Sequence, residues 1–447
     1  MTARRPSSPR PRRPIRLRRR GTAVLAATAA CASLASLLGG CGLLPGTAAA
    51  SDDPVTVMTW APEGTNATNM PGMPAMAQAY ARWINSKGGI DGHPLRVLTC
   101  NDHNDTVAAA RCATRAAKAG AVAVVGSYSQ HGRSFMSALE AHGIPYIGGY
   151  GVAEEEFTSP LSYPVNGGVP ALITGNGHQL AAGNCKKTAL VRPDTIAGDQ
   201  MPELLNAGLA ARGAGPATDI RAPEGATNYG KHAEEALRAS GADASRYGYS
   251  KYGGEATGSC VTAVLGGRTD TFFDSFRRLQ EDNPRVRIAS VLGSIRQSLV
   301  NRTGGADSPL EGAYATGWYP VAGDHRWDPM KKVVREHAFG DNRIDTADPG
   351  VQTTWIAYTV LRQVLDRMDG QEITAKSVRN ALDTGKPVGT GGLTPKLSWS
   401  YRDMLAAHDF PRIVNTMVTY QRVRNGQLVA VRDEFENVQR TLENQGD

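Results

Sequence analysis

The sequence predicts an α/β protein built from doubly wound parallel sheets and divided into two domains. Two observations carry the fold class. Short valine-rich apolar runs alternate with segments of helical periodicity, and a polar loop follows each run. A third observation sets the number of domains. About 400 residues follow an amino-terminal leader, more than one core usually holds.

Residues 120–149 show the unit most clearly. Residues 121–125 form an apolar run ending at Gly126, and Ser127, Tyr128, Ser129 and Gln130 follow at once. Residues 133–142 have helical spacing with Phe135, Met136 and Leu139 apolar, Gly143 stops the helix, and Ile144 opens the next strand. Strand, loop, helix, strand is one βαβ unit. Small ligands bind beyond the carboxyl ends of such strands, where loops and helix N-termini offer free N–H groups. Ser127–Gln130 lie at that place.

The rest of the chain repeats the scheme. Strands are expected at 55–59 and 95–100, with helices at 75–86 and 106–119. The loop 60–74 holds Trp60 and Glu63. Residues 154–170, rich in proline and glycine, read as a crossing segment, and Glu154-Glu155-Glu156 as a solvated surface run. A second series follows: helices at 171–182, 201–212, 231–240 and 272–281, and strands at 187–191, 261–265 and 286–292. Residues 213–257 give little pattern beyond one helix. Residues 310–320 read as extended, 349–368 as a long amphipathic helix and 375–382 as a shorter one. Two last strands, 413–420 and 428–432, form a hairpin around Arg424-Asn425-Gly426.

The leader has its own logic. Nine arginines and no acid lie in the first 20 residues, no charge follows until Asp52, and 23–38 is mildly apolar. A basic region followed by an apolar one reads as a secretory signal. Its Ala, Ser and Thr make a weak membrane span. Leu38-Gly39-Gly40-Cys41 has the form of a bacterial lipobox, in which the cysteine is lipidated and becomes the first mature residue. Arg19-Arg20 hints at twin-arginine export. The chain has 49 basic and 42 acidic residues; nine of the basic ones lie in 1–40, so the remainder is 40 against 42, a net −2. The high pI belongs to the leader, and nothing points to a nucleic-acid partner.

Beyond the signal and Cys41 remain Cys100, Cys112, Cys185 and Cys260, an even number in an oxidising compartment, which suggests two disulfides. Three connectivities are possible. Cys100 ends a strand and Cys112 lies on the next helix, which pairs them locally; Cys185 and Cys260 each precede an apolar strand and form the other pair. The spacings contain no metal motif, and no cofactor motif occurs. Ser129 and His131 are adjacent on a loop with no placed acid and no G-x-S-x-G, so a hydrolase is disfavoured.

Further motifs run through the chain: Ile84-Asn85-Ser86-Lys87-Gly88-Gly89-Ile90-Asp91-Gly92-His93-Pro94-Leu95, Asp102 after its strand, Val124-Val125-Gly126-Ser127, Gly143-Ile144-Pro145-Tyr146-Ile147, and Leu310-Glu311-Gly312-Ala313-Tyr314. With them, 55–430 resembles the extracytoplasmic solute-binding proteins of ABC importers, of the leucine/isoleucine/valine-binding type. The resemblance implies the type I periplasmic-binding fold: two doubly wound parallel-sheet lobes joined by a three-segment hinge, closing over a ligand. It places the crossings near 166–170, 316–322 and 400–412. After the signal (1–40) and tether (41–53), lobe one is then 54–167 plus 321–400, and lobe two 168–318 plus 412–432, ahead of a tail at 433–447.

The resemblance also implies a ligand set. Ser127, Tyr128, Ser129 and Gln130 offer hydroxyl and N–H donors, and Tyr150 faces the cleft from the next loop. Asp194, Thr195 and Ser294 close from the second lobe. Ser294 stands in the loop where amino-acid binders carry an acid, and Asp194 or Glu63 is the candidate replacement. Trp60 and Trp318 are candidates to stack on a ligand or to pack at a lobe edge. The expected protein is a non-enzymatic, monomeric lipoprotein outside the cytoplasmic membrane. It captures a small, amino-acid-like polar solute for an ABC permease; the alternative is a ligand-sensing lipoprotein signalling to a membrane receptor.

Overall fold

The computed structural model describes residues 53–242, 255–280 and 285–444; the leader and Cys41 lie outside them. Among the described residues two sheets form. The first contains β1 (Val55–Trp60), β2 (Leu95–Cys100), β3 (Ala123–Val125), β4 (Tyr146–Ile147) and β5 (Ser162–Tyr163). Its order is β2-β1-β3-β4-β5, parallel throughout. Strand alternation sorts its side chains. Val55 and Val57 join the core with the helices Gly72–Asn85 and Pro349–Asp366, while Met58 and Trp60 face Thr106–Lys118 and Gly132–His142.

The second sheet contains β6 (Lys187–Pro193), β7 (Thr218–Ala222), β8 (Glu255–Ala263), β9 (Arg285–Val291), β10 (Tyr314–Gly317), β11 (Met417–Arg424) and β12 (Gln427–Ala430). They run in the order β12-β11-β10-β9-β8-β6-β7, and β13 (Glu436–Asn437) pairs with β11. β6 to β10 are parallel; the closing hairpin is antiparallel. Its turn has Asn425 and Gly426 both left-handed (φ 51° and 70°), as a two-residue turn between twisted strands requires.

Local chemistry sets the helix ends. Asp105 caps Thr106–Lys118 by accepting from Ala108 N, and Asp348 caps Pro349–Asp366 by accepting from Gly350 N and Val351 N, with proline at the first helical position. Thr374 and Ser377 make a reciprocal capping box ahead of Ala375–Asp383. Several elements lacked a legible signal: β5 has two residues, β7 lies in 213–257, and the helices Gln297–Arg302 and Asp328–His337 fall in stretches to which the sequence assigned no element. The strand expected at 413–420 runs instead from 417 to 424.

The chain passes between the sheets three times: after β5, after β10 and ahead of β11. These segments are tied to one another. Asn166 Nδ2 donates to Tyr319 Oη at 2.8 Å, Trp318 Nε1 to Gly168 O at 2.9 Å, Asn415 Nδ2 to Val165 O at 3.1 Å and Thr419 Oγ1 to Tyr319 O at 2.7 Å. All are buried, where an unpaired polar group is costly.

Cys100 bonds Cys112, pinning the end of β2 to the next helix, and Cys185 bonds Cys260 across the β6–β8 pair. The sequence separations are 12 and 75 residues. Chain-entropy arguments then give about 3 kcal/mol for the short loop and about 4.5 kcal/mol for the long one. Replacing Cys185 and Cys260 with Ala should lower unfolding free energy in urea by more than the same change at Cys100 and Cys112; the reverse order would contradict this account.

The reading of 154–156 as a solvated run is corrected. Glu156 is 1% exposed, because its carboxylate accepts from the N–H groups of Gly151 (3.0 Å), Val152 (2.9 Å) and Ala153 (3.1 Å) and so closes the loop behind Tyr150. Burial pushes its carboxyl from 4.5 up to about 7, although the three N–H groups pull the other way. The folded chain therefore holds a proton between pH 4.5 and 7 that the unfolded chain has released, and stability falls as pH rises through that window. The cumulative loss is up to about 3 kcal/mol. Urea titrations should show this slope in the wild type and not in Glu156→Gln; equal slopes would refute it.

Candidate functional site

In both sheets the strand order reverses beside the first strand of the series, at β1/β3 and at β6/β8, and such reversals open a crevice at the carboxyl ends of the strands. The loops leaving those ends meet across one gap. From the first sheet come the loops after β1, β3 and β4, joined by the N-terminus of Pro349–Asp366. From the second come those after β7, β8 and β9.

Glu224, after β7, receives three bonds on one oxygen: from Thr68 N (3.3 Å), Thr68 Oγ1 (3.1 Å) and Gln130 Nε2 (3.1 Å). Arg268, after β8, donates to Asn66 O at 3.0 Å. Arg296, after β9, pairs with Asp348 at 2.9 Å. Gly293 has φ +94°, and a Cβ there would stand 2.7 Å from Tyr150 Oη. Only glycine lets these loops come so close.

Aromatic rings form the floor. Tyr150 meets Tyr128 edge-on at 5.2 Å and Trp318 at 5.1 Å, and Trp318 continues to Tyr319 at 5.9 Å. Burial drives the hydroxyls of Tyr128 and Tyr150 well above the ordinary tyrosine range, so both stay protonated donors. Gln130 Nε2 donates to Tyr128 Oη at 3.2 Å as well as to Glu224.

The expected residues divide. Tyr128, Gln130 and Tyr150 stand at the gap, and Ser294 follows Gly293 beside them. Ser127 and Ser129 lie beneath it with their hydroxyls already engaged. Ser127 Oγ accepts from Trp60 N at 3.1 Å, and Ser129 Oγ accepts from His131 N at 3.2 Å. Burial raises the neighbouring Asp102 carboxyl above its ordinary range. Asp194 is exposed, with Arg221 3.9 Å away in its own half, and Thr195 precedes the short helix Ile196–Asp199. Glu63 is exposed on the loop after β1, 3.9 Å from Arg343. Trp60 is a correction: it is fully buried against Phe135 and Tyr146, because strand alternation turns it toward the helices on the sheet's far face. Among the described residues, no group of three His, Cys, Asp or Glu side chains is placed to hold a metal ion.

Sequence reasoning missed Thr68, Glu224, Arg268, Arg296 and Asp348. Glu224 lies in the stretch without pattern. Arg296 stood two residues from Ser294, and its guanidinium in a strand-end loop was the available signal. Asp348 lies just ahead of the helix expected at 349–368, and nothing in the sequence tied it to Arg296.

A family model described as periplasmic binding protein matches residues 58–410. No curated protein matches the chain. Among solved structures, a possible leucine/isoleucine/valine-binding protein from Rhodopirellula baltica is similar at 12% identity and TM-score 0.68, covering 87% of this chain and 98% of its own. A branched-chain amino acid ABC transporter protein from Thermus thermophilus with bound valine gives 15%, 0.66, 86% and 97%. A solute-binding protein from Rhodopseudomonas palustris BisB5, in complex with 3,4-dihydroxybenzoic acid, gives 14%, 0.66, 86% and 98%. At such identities the structures speak for the fold alone. With two parallel sheets, three laced crossings and a match over most of its length, the chain belongs to the periplasmic binding protein family and has the type I fold of its Leu/Ile/Val-binding members.

Proposed function

We propose that this protein is a lipid-anchored extracytoplasmic substrate-binding protein. It captures a small polar solute in the gap between the two sheets and delivers it, chemically unchanged, to an ABC importer. The observation that carries this reading is the meeting of two sets of strand-end loops over an aromatic floor, hinged by three laced crossings. The moving bodies are 54–167 with 321–400 and 168–318 with 412–432. Tyr128, Gln130 and Tyr150 hold the solute from one side, assisted by the N–H groups of Ser127 and Ser129; Ser294, Asp194 and Thr195 close from the other. The neighbours named for ABC transport lend support, two of them with a small acid-bearing solute in place.

A thermal-shift screen of amino acids, amides, sugars and aromatic acids tests the binding role. A solute at 100 times its Kd adds about 2.7 kcal/mol of stability. Gly293→Ala should weaken that solute at least tenfold, because its Cβ would meet Tyr150 Oη. Gly340→Ala, also at positive φ (+77°) but with open space around it, should leave affinity unchanged. Equal effects of the two substitutions would place binding outside the gap.

The anchor rests on Leu38-Gly39-Gly40-Cys41 behind an apolar stretch. Metabolic labelling with a palmitate analogue should mark the wild type and not Cys41→Ala; identical labelling and processing of the two would rule the anchor out.

A further inference from the structure

We propose that the protein carries a second small-molecule site, remote from the gap, which takes an organic anion with a flat apolar body. A cavity of about 200 Å³ lies where the C-terminal end of Pro349–Asp366 meets Ala375–Asp383 and the segment 384–399. The long helix separates it from the gap. That helix reaches the gap at Pro349 and the cavity at Val364, roughly 22 Å further on at 1.5 Å per residue. The cavity is held open by its own walls. Val388 and Leu397 exchange N–H···O bonds of 2.8 and 2.9 Å, and Ser398 Oγ donates to Gly385 O at 2.9 Å, so the segment is a closed loop. Trp399 Nε1 donates to Pro164 O at 3.0 Å and its ring meets Tyr163 edge-on, which keeps the indole from folding into the space.

Floor and rim differ in chemistry. Val364, Met368, Leu382 and Trp399 line the floor, each at most 4% exposed. The rim is exposed and holds two cations, Arg367 and Lys386, with the amides of Gln371 and Asn380. Among the described residues no Asp or Glu lines the cavity. Of the acids nearby, Asp366 pairs with Arg362 at 3.3 Å, and Asp383 accepts from Tyr163 Oη at 2.8 Å. Arg367 donates to Lys386 O and Pro387 O at 3.3 and 3.0 Å, which fixes its guanidinium at the rim with N–H groups unspent. Lys386 is held through its carbonyl, and its ammonium forms no ion pair among the described residues. The floor favours a desolvated ring, and the rim favours a negative group at the mouth over a positive one. About 200 Å³ falls below the roughly 300–1,000 Å³ of drug-sized sites, so the occupant is no larger than a two-ring acid. It would rest on Trp399, one residue ahead of the third crossing, and through that indole on Pro164, ahead of the first.

Fluorine NMR of the purified protein labelled with 5-fluorotryptophan tests the site, the Trp399 signal being assigned through Trp399→Phe. Naphthalene-2-sulfonate is the probe, and naphthalen-2-ylmethylammonium is its cationic counterpart. The sulfonate should shift the Trp399 signal saturably with a Kd below about 1 mM, and the ammonium should bind at least tenfold more weakly. Lys386→Glu reverses an exposed charge and should weaken the sulfonate at least tenfold. Ala381→Leu fills the cavity and should remove the Trp399 shift; if that variant fails to fold, Lys386→Glu decides alone. Gly293→Ala acts at the gap and should leave the Trp399 shift as it is. The proposal is overturned if the Trp399 signal stays in place at tenfold that concentration, or if the ammonium binds as tightly as the sulfonate. It is equally overturned if Lys386→Glu leaves the sulfonate's affinity unchanged, or if Gly293→Ala weakens it as much as Lys386→Glu does. None of these outcomes depends on what the gap holds.

Discussion

The Tyr319 side chain and its backbone carbonyl hold the two halves in register. The hydroxyl lies between Asn166 Nδ2, from the first crossing, and Thr353 Oγ1, from the long helix. The carbonyl accepts from Thr419 Oγ1 and Gln421 Nε2 on the strand that follows the third crossing. One residue of the second crossing therefore touches the first crossing and the strand that the third one leads into. In a fully buried place each of these bonds must be made or its polar group left unsatisfied. A covalent chain crossing three times would still tilt and slide; this network ties the crossings to one another where they pass between the sheets.

From that constraint the site follows. Because parallel strands connect by right-handed crossovers, each sheet gathers its carboxyl-end loops on one edge. The three crossings set these two edges face to face. The contacts that result differ in kind. Glu224 gathers neutral donors, Arg296 and Asp348 form a charged pair, and Tyr150 reaches Gly293 by shape alone. The two halves thus meet through hydrogen bonding, charge and close packing at three separated points, which fixes orientation as well as distance.

Much of the architecture was legible because the relevant signals are local. Val55–Val57 alternate, residues 121–125 are continuously apolar, and Gly143 and Asp348 mark helix ends by chemistry that needs no tertiary partner. The disulfides fell out of strand and helix placement. The site was legible only on one side. Tyr128, Gln130 and Tyr150 follow strands that announce themselves, whereas Glu224 follows β7, an exposed edge strand whose Thr218, Asp219 and Arg221 give no apolar run. Trp60 stood open between ligand platform and lobe-edge packing because loop and strand were assigned one residue apart, and one residue changes the face. Glu156 looked solvated because a run of three glutamates carries no sign of which one will meet three backbone N–H groups.

The three N–H bonds behind Tyr150 also bear on how fast a solute can come and go. A tyrosine at the mouth of a site is often a swinging gate, turning on its χ angles in nanoseconds. Here its loop is fastened by Glu156, its ring is wedged between Tyr128 and Trp318, and its hydroxyl abuts Gly293. No side-chain rotation opens such a door. On the proposed function, entry and exit wait for the halves themselves to part, a collective motion on the microsecond-to-millisecond scale. On that reading the residence time of a solute belongs to the three crossings, Tyr319 among them, as much as to any group that would touch it.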